Sequence, residues 1–349
     1  MKTEYDVIVV GAGSAGCALA YRLAASGDIN VLLLEAGSPA YNPMIHIPLG
    51  FAFLMKPHRN NWGYSTSPEP YLDGRSVNLP RGKVLGGTSA INGMVYVRGQ
   101  ADDYDNWAAL GNEGWAYRDV LPLFKRSEDH GKGANDYHGV GGPLYVGGVS
   151  NEFPVVDAFI AAAEQAGYPA NADFNGPSQA GVGFFATNIK NGSRWTAAKA
   201  FLRAGKGFKN LTVVTGAHTR RVLVEQGFAV GVECELGGEL KQFRASREVV
   251  LSAGAINSPK ILEFSGIGQA ELLRSQGIDV VQDLPGVGEN LHDHWNGYQT
   301  YALSRGDNYY HQAKALPMLR NFFRYLTRRQ SFLANPAAMV AIFYNALGD

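Results

Sequence analysis

The clearest pattern of apolar positions lies at the N-terminus. Residues 7–10 are an uninterrupted β-branched run that ends at Gly11, which is typical of a strand buried on both faces in a parallel sheet. From Ser14 to Ser26 apolar residues recur at helical spacing, and Gly27 ends this helix before a second apolar run, Val31–Leu34. The pattern predicts a β-turn-α-β unit.

The turn between the first strand and the helix, Gly11-Ala12-Gly13-Ser14-Ala15-Gly16, has the spacing of a dinucleotide-binding motif. Gly11 permits the tight turn, Gly13 lets the backbone approach a pyrophosphate at the helix N-terminus, and Gly16 lets the helix lie close to the strand. Glu35 ends the second strand, where a carboxylate accepts hydrogen bonds from two ribose hydroxyls and repels a 2′-phosphate. NAD and FAD both satisfy these contacts.

Weaker patterns predict the remaining elements. Phe153–Ala166 is helical in spacing, Arg194–Leu202 begins like a capped helix, and Tyr298–Leu303 and Ala337–Tyr344 resemble strands. Lys314–Arg329 is a basic amphipathic helix. We interpret it as a solvated outer face of its domain, and the alternative is contact with an anionic membrane surface.

Composition limits the classes of partner. Lys plus Arg equals Asp plus Glu at 31 each, so no net charge favours nucleic acid. Two cysteines far apart give neither a disulfide framework nor zinc-ligand spacing, and we predict no metal site, the His-x-His pair at 292 and 294 included. No apolar run reaches the roughly 18 residues of a spanning helix. We expect a cytoplasmic protein, with peripheral contact to the inner membrane as the alternative.

Two further segments identify a family. Gly82–Tyr96, continuing to Asp105, resembles the first signature of the glucose-methanol-choline (GMC) oxidoreductases, and Gly254–Gly268 resembles the second. Leu284–Leu291 is also similar to the family. The resemblance covers essentially the whole chain and is strongest to the bacterial group that resembles choline dehydrogenase and alcohol dehydrogenase. It implies a flavoprotein in which the glycine turn binds the adenosine half of FAD.

The resemblance also implies which residues bind FAD. Asn92–Val95 match the stretch that runs under the isoalloxazine ring, and Thr219 matches the residue whose backbone meets the adenine; we interpret the adjacent His218 as a surface histidine. Some members attach the flavin through a histidine where this chain has Ile91, so we expect non-covalent FAD. The predicted cofactor-binding set is Gly11, Gly13, Ser14, Gly16, Glu35, Ala36, Gly82, Gly86, Gly87, Thr88, Asn92, Gly93, Met94, Val95, Thr219, Ala253 and Gly254.

The fold class implied is an α/β FAD-binding Rossmann-like domain, with a mixed or parallel sheet and helices, plus an α+β substrate domain. We assign residues 1–150 and 208–294 to the FAD-binding domain, and 151–207 and 295–349 to a substrate-binding domain that is incomplete at its C-terminus. The family's catalytic pair, a histidine and a second histidine or asparagine, is expected beyond Asp349. No residue of this chain is therefore assigned as the catalytic base.

Two positions bear on the substrate. Trp62 matches an aromatic residue of the family's active site. Asn296 stands where choline-oxidising relatives have a glutamate, so a choline pocket would lack its counter-charge. We expect oxidation of a neutral primary alcohol, diol or polyol to an aldehyde, with a quinone or other electron acceptor. The alternatives are a choline dehydrogenase, an alcohol oxidase that uses O₂, a lyase on the same scaffold, and an inactive FAD-binding fragment. The oligomeric state stays open.

Overall fold

The computed structural model describes residues 2–149, 153–294, 296–303 and 308–346. The strands, in chain order, are β1 Glu4–Val10, β2 Val31–Glu35, β3 Tyr64–Ser65, β4 Asn78–Leu79, β5 Val95–Tyr96, β6 Glu128–His130, β7 Leu144–Val146, β8 Gly181–Phe184, β9 Ala186–Thr187, β10 Ile189–Lys190, β11 Ser193–Arg194, β12 Leu211–Thr215, β13 Ala217–Glu225, β14 Phe228–Leu236, β15 Glu239–Leu251, β16 Ile267–Gly268, β17 Gln282–Asp283 and β18 Val340–Phe343.

The α-helices are α1 Ser14–Ala24, α2 Pro43–His46, α3 Phe51–Leu54, α4 Ala101–Ala109, α5 Tyr117–Ser127, α6 Pro154–Gln165, α7 Gly254–Phe264, α8 Ala270–Ser275, α9 Tyr309–Gln312 and α10 Ala315–Arg328. Short 3₁₀ turns occupy Pro48–Gly50, Pro70–Leu72, Gly87–Ala90 and Phe332–Ala334, and Ala198–Leu202 is a π-helical turn. In the described part of the chain, no helix is long and apolar enough to cross a membrane.

The chain divides into two compact units. The first comprises residues 1–41, 54–91 and 196–300, and the second comprises 42–53, 92–195 and 301–349. By packing, residues 92–149 therefore group with the second unit and 196–207 with the first. The predicted domains are defined by the ligands that they bind, so their assignment stays a prediction. Residues 150, 151 and 295, which stand at the predicted boundaries, lie outside the described residues.

The first unit is built on a six-stranded sheet with the order β12-β2-β1-β15-β14-β13. The strands β12, β2, β1 and β15 run parallel, whereas β13, β14 and β15 form an antiparallel meander. β2 is buried along its whole length, as its uninterrupted apolar run predicts. The predicted β-turn-α-β unit and the mixed Rossmann-like sheet are confirmed.

The second unit holds smaller two-stranded sheets, including β5-β9, β6-β7 and β8-β18. The predicted helix near 153–166 is confirmed as α6, and the strand predicted over 337–344 as β18. Its core joins Phe153, Tyr325, Phe332, Leu333 and Met339.

Two predictions from local pattern need correction. Tyr298–Leu303 forms no strand, because alternating apolar residues make a strand only where a neighbouring backbone completes the ladder. Arg194 lies on β11, and the helical turn begins only after Thr196, whose Oγ1 accepts a hydrogen bond from Lys199 N at 3.1 Å.

The predicted basic amphipathic helix is confirmed as α10, but its apolar residues do not all face inward. Asn321 and Tyr325 are buried, whereas Leu316 and Phe323 are exposed. The face that the sequence marks as the core-facing one is therefore largely open in the described structure.

Candidate functional site

The turn after β1 needs glycine at two positions for steric reasons. Gly11 has a φ of +98°, and a Cβ placed there would lie 2.6 Å from Ser252 O. A Cβ on Gly16 would lie only 1.9 Å from Gly11 O, because α1 passes directly over the turn. Gly13 differs, since a Cβ there would meet nothing closer than Gly87 Cα at 4.0 Å. Gly11 and Gly16 shape the turn, and Gly13 keeps space open in front of it.

The carboxylate of Glu35 is bound to the same turn. Its Oε2 accepts a hydrogen bond from Ala12 N at 3.0 Å, and its Oε1 accepts one from Gly37 N at 2.8 Å. Burial raises the pKa of Glu35 to about 7, although the bonds from Gly37 and Ala12 and the charge of Lys83 act in the opposite direction. A desolvated carboxylate with lone pairs left over suits the two hydroxyl donors of a ribose. The sequence did not show that Glu35 also holds the turn.

The second glycine segment packs on the first. Gly86 N donates to Ala12 O at 2.8 Å, and a Cβ on Gly87 would lie 2.7 Å from Gly13 Cα. Gly82 N donates to Thr88 Oγ1 at 3.1 Å. The structure therefore brings together two glycine segments that lie far apart in the sequence.

These elements enclose a cavity of about 420 Å³ in the first unit. Most of the predicted cofactor-binding residues of that unit line it, namely Gly11, Gly13, Ser14, Glu35, Ala36, Gly82, Gly87, Thr88, Thr219, Ala253 and Gly254. Two do not: Gly16 lies in the first turn of α1 and faces Gly11, and Gly86 is bonded to Ala12 O behind the lining. The cavity begins at the N-terminus of α1, where backbone N–H groups and the helix dipole favour phosphate.

The lining of the cavity also contains aromatic and polar side chains. Trp62, His218 and Thr219 line it together. Thr219 is buried, and its Oγ1 has no hydrogen-bond partner among the described residues. His218, interpreted as a surface histidine, is half-buried and lines the cavity, so a contact between it and a ligand is sterically open. Asn296, the other predicted substrate residue, is exposed.

The predicted isoalloxazine segment belongs to the second unit and is held rigidly there. Met94 is buried with a φ of +64°, a conformation costly for a residue with a side chain. Asn92 Oδ1 accepts a hydrogen bond from Met94 N at 3.1 Å, which closes the turn. A Cβ on Gly93 would lie 2.7 Å from Ala337 Cβ. The role of Asn92–Val95 at the flavin ring stays a prediction.

Arg194 supports this segment, and sequence reasoning missed it. Its Nη1 donates to Asn92 O at 2.6 Å and to Asn92 Oδ1 at 2.9 Å, and its Nε donates to Ile45 O at 2.9 Å. The side chain is fully buried, and burial lowers its pKa to about 9. The only available signal was an arginine beside an apolar segment.

A second buried network surrounds His138. Its Nδ1 lies 3.0 Å from Glu128 Oε2 and its Nε2 lies 2.8 Å from Asp173 Oδ2, while Arg98 Nη2 donates to Glu128 at 2.9 Å. Burial alone would lower the pKa of His138, but the bonds to Asp173 and Glu128 outweigh it and raise the pKa to about 9. Ligand atoms of Glu128, His130 and His138 lie within 4.8 Å of one another. Both His138 nitrogens are engaged by carboxylates, so the geometry is that of an ion-pair network.

Comparison with known proteins identifies the family, because the GMC oxidoreductase profile matches residues 5–296. The chain belongs to the GMC oxidoreductases. An oxygen-dependent choline dehydrogenase of Brucella anthropi is 47% identical over 295 residues, which cover 84% of this chain and 54% of the relative. The chain thus spans about half the length of the curated relatives it matches.

Solved structures of GMC-like proteins have the same fold. Pyridoxine 4-oxidase from Mesorbium loti superposes with a TM-score of 0.77 at 36% identity, over 80% of this chain and 55% of that one. An FAD-dependent oxidoreductase from Chaetomium thermophilum superposes with a TM-score of 0.87 at 29% identity, over 96% of this chain and 61% of that one. The family is one of oxidoreductases, and FAD is the cofactor that these comparisons indicate.

Proposed function

We propose that this chain is the FAD-binding part of an enzyme that oxidises a primary alcohol to an aldehyde. The observation that carries the proposal is the cavity in which the glycine turn, Glu35 and Thr219 share one wall. Bound FAD supplies a hydride acceptor at its N5 atom. The residues of this chain bind the diphosphate at α1, hold the ribose at Glu35 and exclude 2′-phosphorylated ligands by charge.

Non-covalent attachment is part of the proposal. Ile91 stands where a histidine would be needed, and its side chain is fully buried hydrocarbon that forms no bond to a flavin. Acid precipitation of the purified yellow protein should leave the flavin in the supernatant. Colour retained in the precipitate after washing would contradict non-covalent binding.

The binding test is titration of the apoprotein with FAD, NADP and NAD. We expect saturable binding of FAD, and, above the Glu35 pKa of about 7, no binding of NADP because the ionised Glu35 repels its 2′-phosphate. A Glu35→Gln variant keeps a hydrogen-bond acceptor but loses the negative charge. It should therefore bind NADP more tightly than the unchanged chain does. Failure of the unchanged chain to bind FAD would refute the proposal for this chain.

We propose a neutral alcohol, diol or polyol as substrate, because Asn296 offers no counter-charge to a quaternary ammonium group. Choline is the second candidate, supported by the relatives named choline dehydrogenase. The assay is flavin bleaching under anaerobic conditions by choline and by a panel of neutral primary alcohols. If choline alone bleached the flavin, choline would replace the neutral alcohols as the proposed substrate. FAD binding without bleaching by any alcohol would support the alternative of an inactive fragment.

The electron acceptor proposed is a quinone or a similar molecule, with O₂ as the second candidate because relatives are named oxygen-dependent. Rapid aerobic reoxidation with release of peroxide would favour O₂. We propose a cytoplasmic protein, with peripheral membrane contact as the alternative. The exposed apolar residues of α10, among them Leu316 and Phe323, support that alternative. Salt-sensitive binding to anionic liposomes would establish it.

A further inference from the structure

An aromatic cluster contributes to the lining of the cavity in the first unit. The rings of Trp62 and His218 have centroids 5.4 Å apart, and both residues line the cavity. Tyr64 stacks on Trp62 with centroids 5.7 Å apart and an interplanar angle of 5°. The Tyr64 hydroxyl donates to Asn257 Oδ1 at 2.7 Å, so the cluster is anchored to α7. From the sequence, Trp62 was predicted to line the alcohol pocket, and no ligand was predicted for His218.

The order of the strands shows which part of a dinucleotide reaches this cluster. The phosphate-binding turn follows β1, and Glu35 ends the neighbouring β2. β12 lies on the other side of β2, with Thr215 paired to Glu35, and Gly216 N donates to Gly37 O at 2.8 Å. The chain then continues directly into residues 217–219. The cluster therefore lies on the ribose side of the cavity, beyond the phosphates.

The His218 ring of the cluster is uncharged, although cations lie near it. Lys83 Nζ lies 4.5 Å from the centroid of the Trp62 ring. Burial, followed by the charges of Arg220, Lys83 and Lys260, lowers the pKa of His218, so its imidazole is neutral at pH 7. The two uncharged rings in the cavity lining offer packing surface to a purine base.

We propose that Trp62 and His218 bind the adenine base of FAD, so that Trp62 serves the adenosine end of the cofactor and not the alcohol pocket. This inference rests on the proposed FAD binding. An aromatic ring in contact with a base contributes to its binding, so loss of one ring should weaken binding about tenfold. Because ADP carries the adenine and lacks the isoalloxazine ring, it should lose affinity by the same factor as FAD.

The test is calorimetric titration of ADP and FAD into the unchanged chain and into Trp62→Leu, Trp62→Phe and His218→Leu variants. We expect both leucine variants to weaken ADP and FAD equally, and Trp62→Phe to restore most of the affinity because it keeps a ring. Trp107→Leu is the matched control, since Trp107 is half exposed on α4 of the other unit. Thermal unfolding of each apoprotein shows whether a variant is folded.

The outcomes separate this inference from the proposed function. If the unchanged chain bound neither FAD nor ADP, both would fail. If it bound both, and the folded leucine variants bound ADP as tightly as the unchanged chain does, only the adenine assignment would fail. Weakening of FAD alone, with ADP affinity retained, would place Trp62 near the isoalloxazine ring and would also overturn the assignment.

Discussion

The two glycines Gly13 and Gly16 lie three residues apart, and the structure predicts opposite consequences for alanine at each. A Cβ on Gly16 would lie 1.9 Å from Gly11 O and 2.6 Å from Ser252 Oγ. Neither atom can move freely, because Ser252 Oγ is hydrogen-bonded to Gly11 O at 2.9 Å and to Val10 O at 3.0 Å. Gly16→Ala must therefore lift α1 from the turn or break these bonds.

The expected change in the free energy of unfolding results from two opposing effects. Alanine is better than glycine inside a helix by about 1 kcal/mol. Overpacking against fixed backbone costs typically about 1–3 kcal/mol and occasionally more, and a contact this short belongs at the upper end. We expect Gly16→Ala to lower the free energy of unfolding by about 2 kcal/mol net. We also expect it to weaken FAD binding, because the N–H groups of the turn move.

Gly13→Ala should do the reverse. Its φ of −80° is ordinary for alanine, and the nearest atom to the new Cβ is 4.0 Å away, so the apoprotein should keep its stability. The methyl group would, however, occupy space at the proposed phosphate site, and FAD affinity should fall sharply. Urea unfolding of the apoproteins and FAD titration give both quantities. If Gly16→Ala matched the unchanged chain in both measurements, the steric reasoning would be refuted.

Three further predictions concern titratable and apolar groups. The pKa of Glu35 is raised from its ordinary 4.5 to about 7, so the apoprotein should lose stability as pH rises between these values, and Glu35→Gln should flatten that part of the profile measured by urea unfolding. A profile unchanged by the substitution would contradict the burial argument. His138 contributes stability that is complete below pH 6.5 and is lost as pH rises through about 9, and His138→Gln should cost about 3–5 kcal/mol at neutral pH because Glu128 and Asp173 lose their buried partner. A cost near zero would show that the two carboxylates are satisfied without it. Acid precipitation of an Ile91→His variant should still release FAD. Flavin colour that stays in the precipitate of this variant, and not in that of the unchanged chain, would show that residue 91 lies beside the flavin ring.

The sequence predicted those parts of the site that depend on local geometry. The strand-turn-helix pattern and the glycine spacing lead to the same turn that the structure contains, because close approach of α1 to the turn leaves no room for a side chain at Gly16. Glu35 was predictable for the same reason, since its distance from the turn is set by one helix and one strand. The family signatures predicted that Gly82, Gly87 and Thr88 share this cavity, although spacing alone would not have done so.

Contacts between distant segments could not be predicted in this way. The bonds between Arg194 and Asn92 join residues 102 positions apart, and nothing in either local pattern indicates the other. The same holds for His138, whose partner Asp173 lies 35 positions away in the sequence. Periodicity also left the exposed surface of α10 undecided, because it reports which residues are apolar and not which surface the packing leaves open.

By itself the sequence determined the glycine turn and the carboxylate that ends β2, because the separation of these residues is set by one helix and one strand. Its signature segments also determined the family and hence the kind of cofactor. Only the tertiary structure decided that Trp62 stands beside His218 and Thr219, that Arg194 holds Asn92, and that His138 lies between two carboxylates. Such contacts form when strands and loops distant in sequence are packed together. A side chain's neighbours, and therefore its charge and its ligand, are a property of that packing.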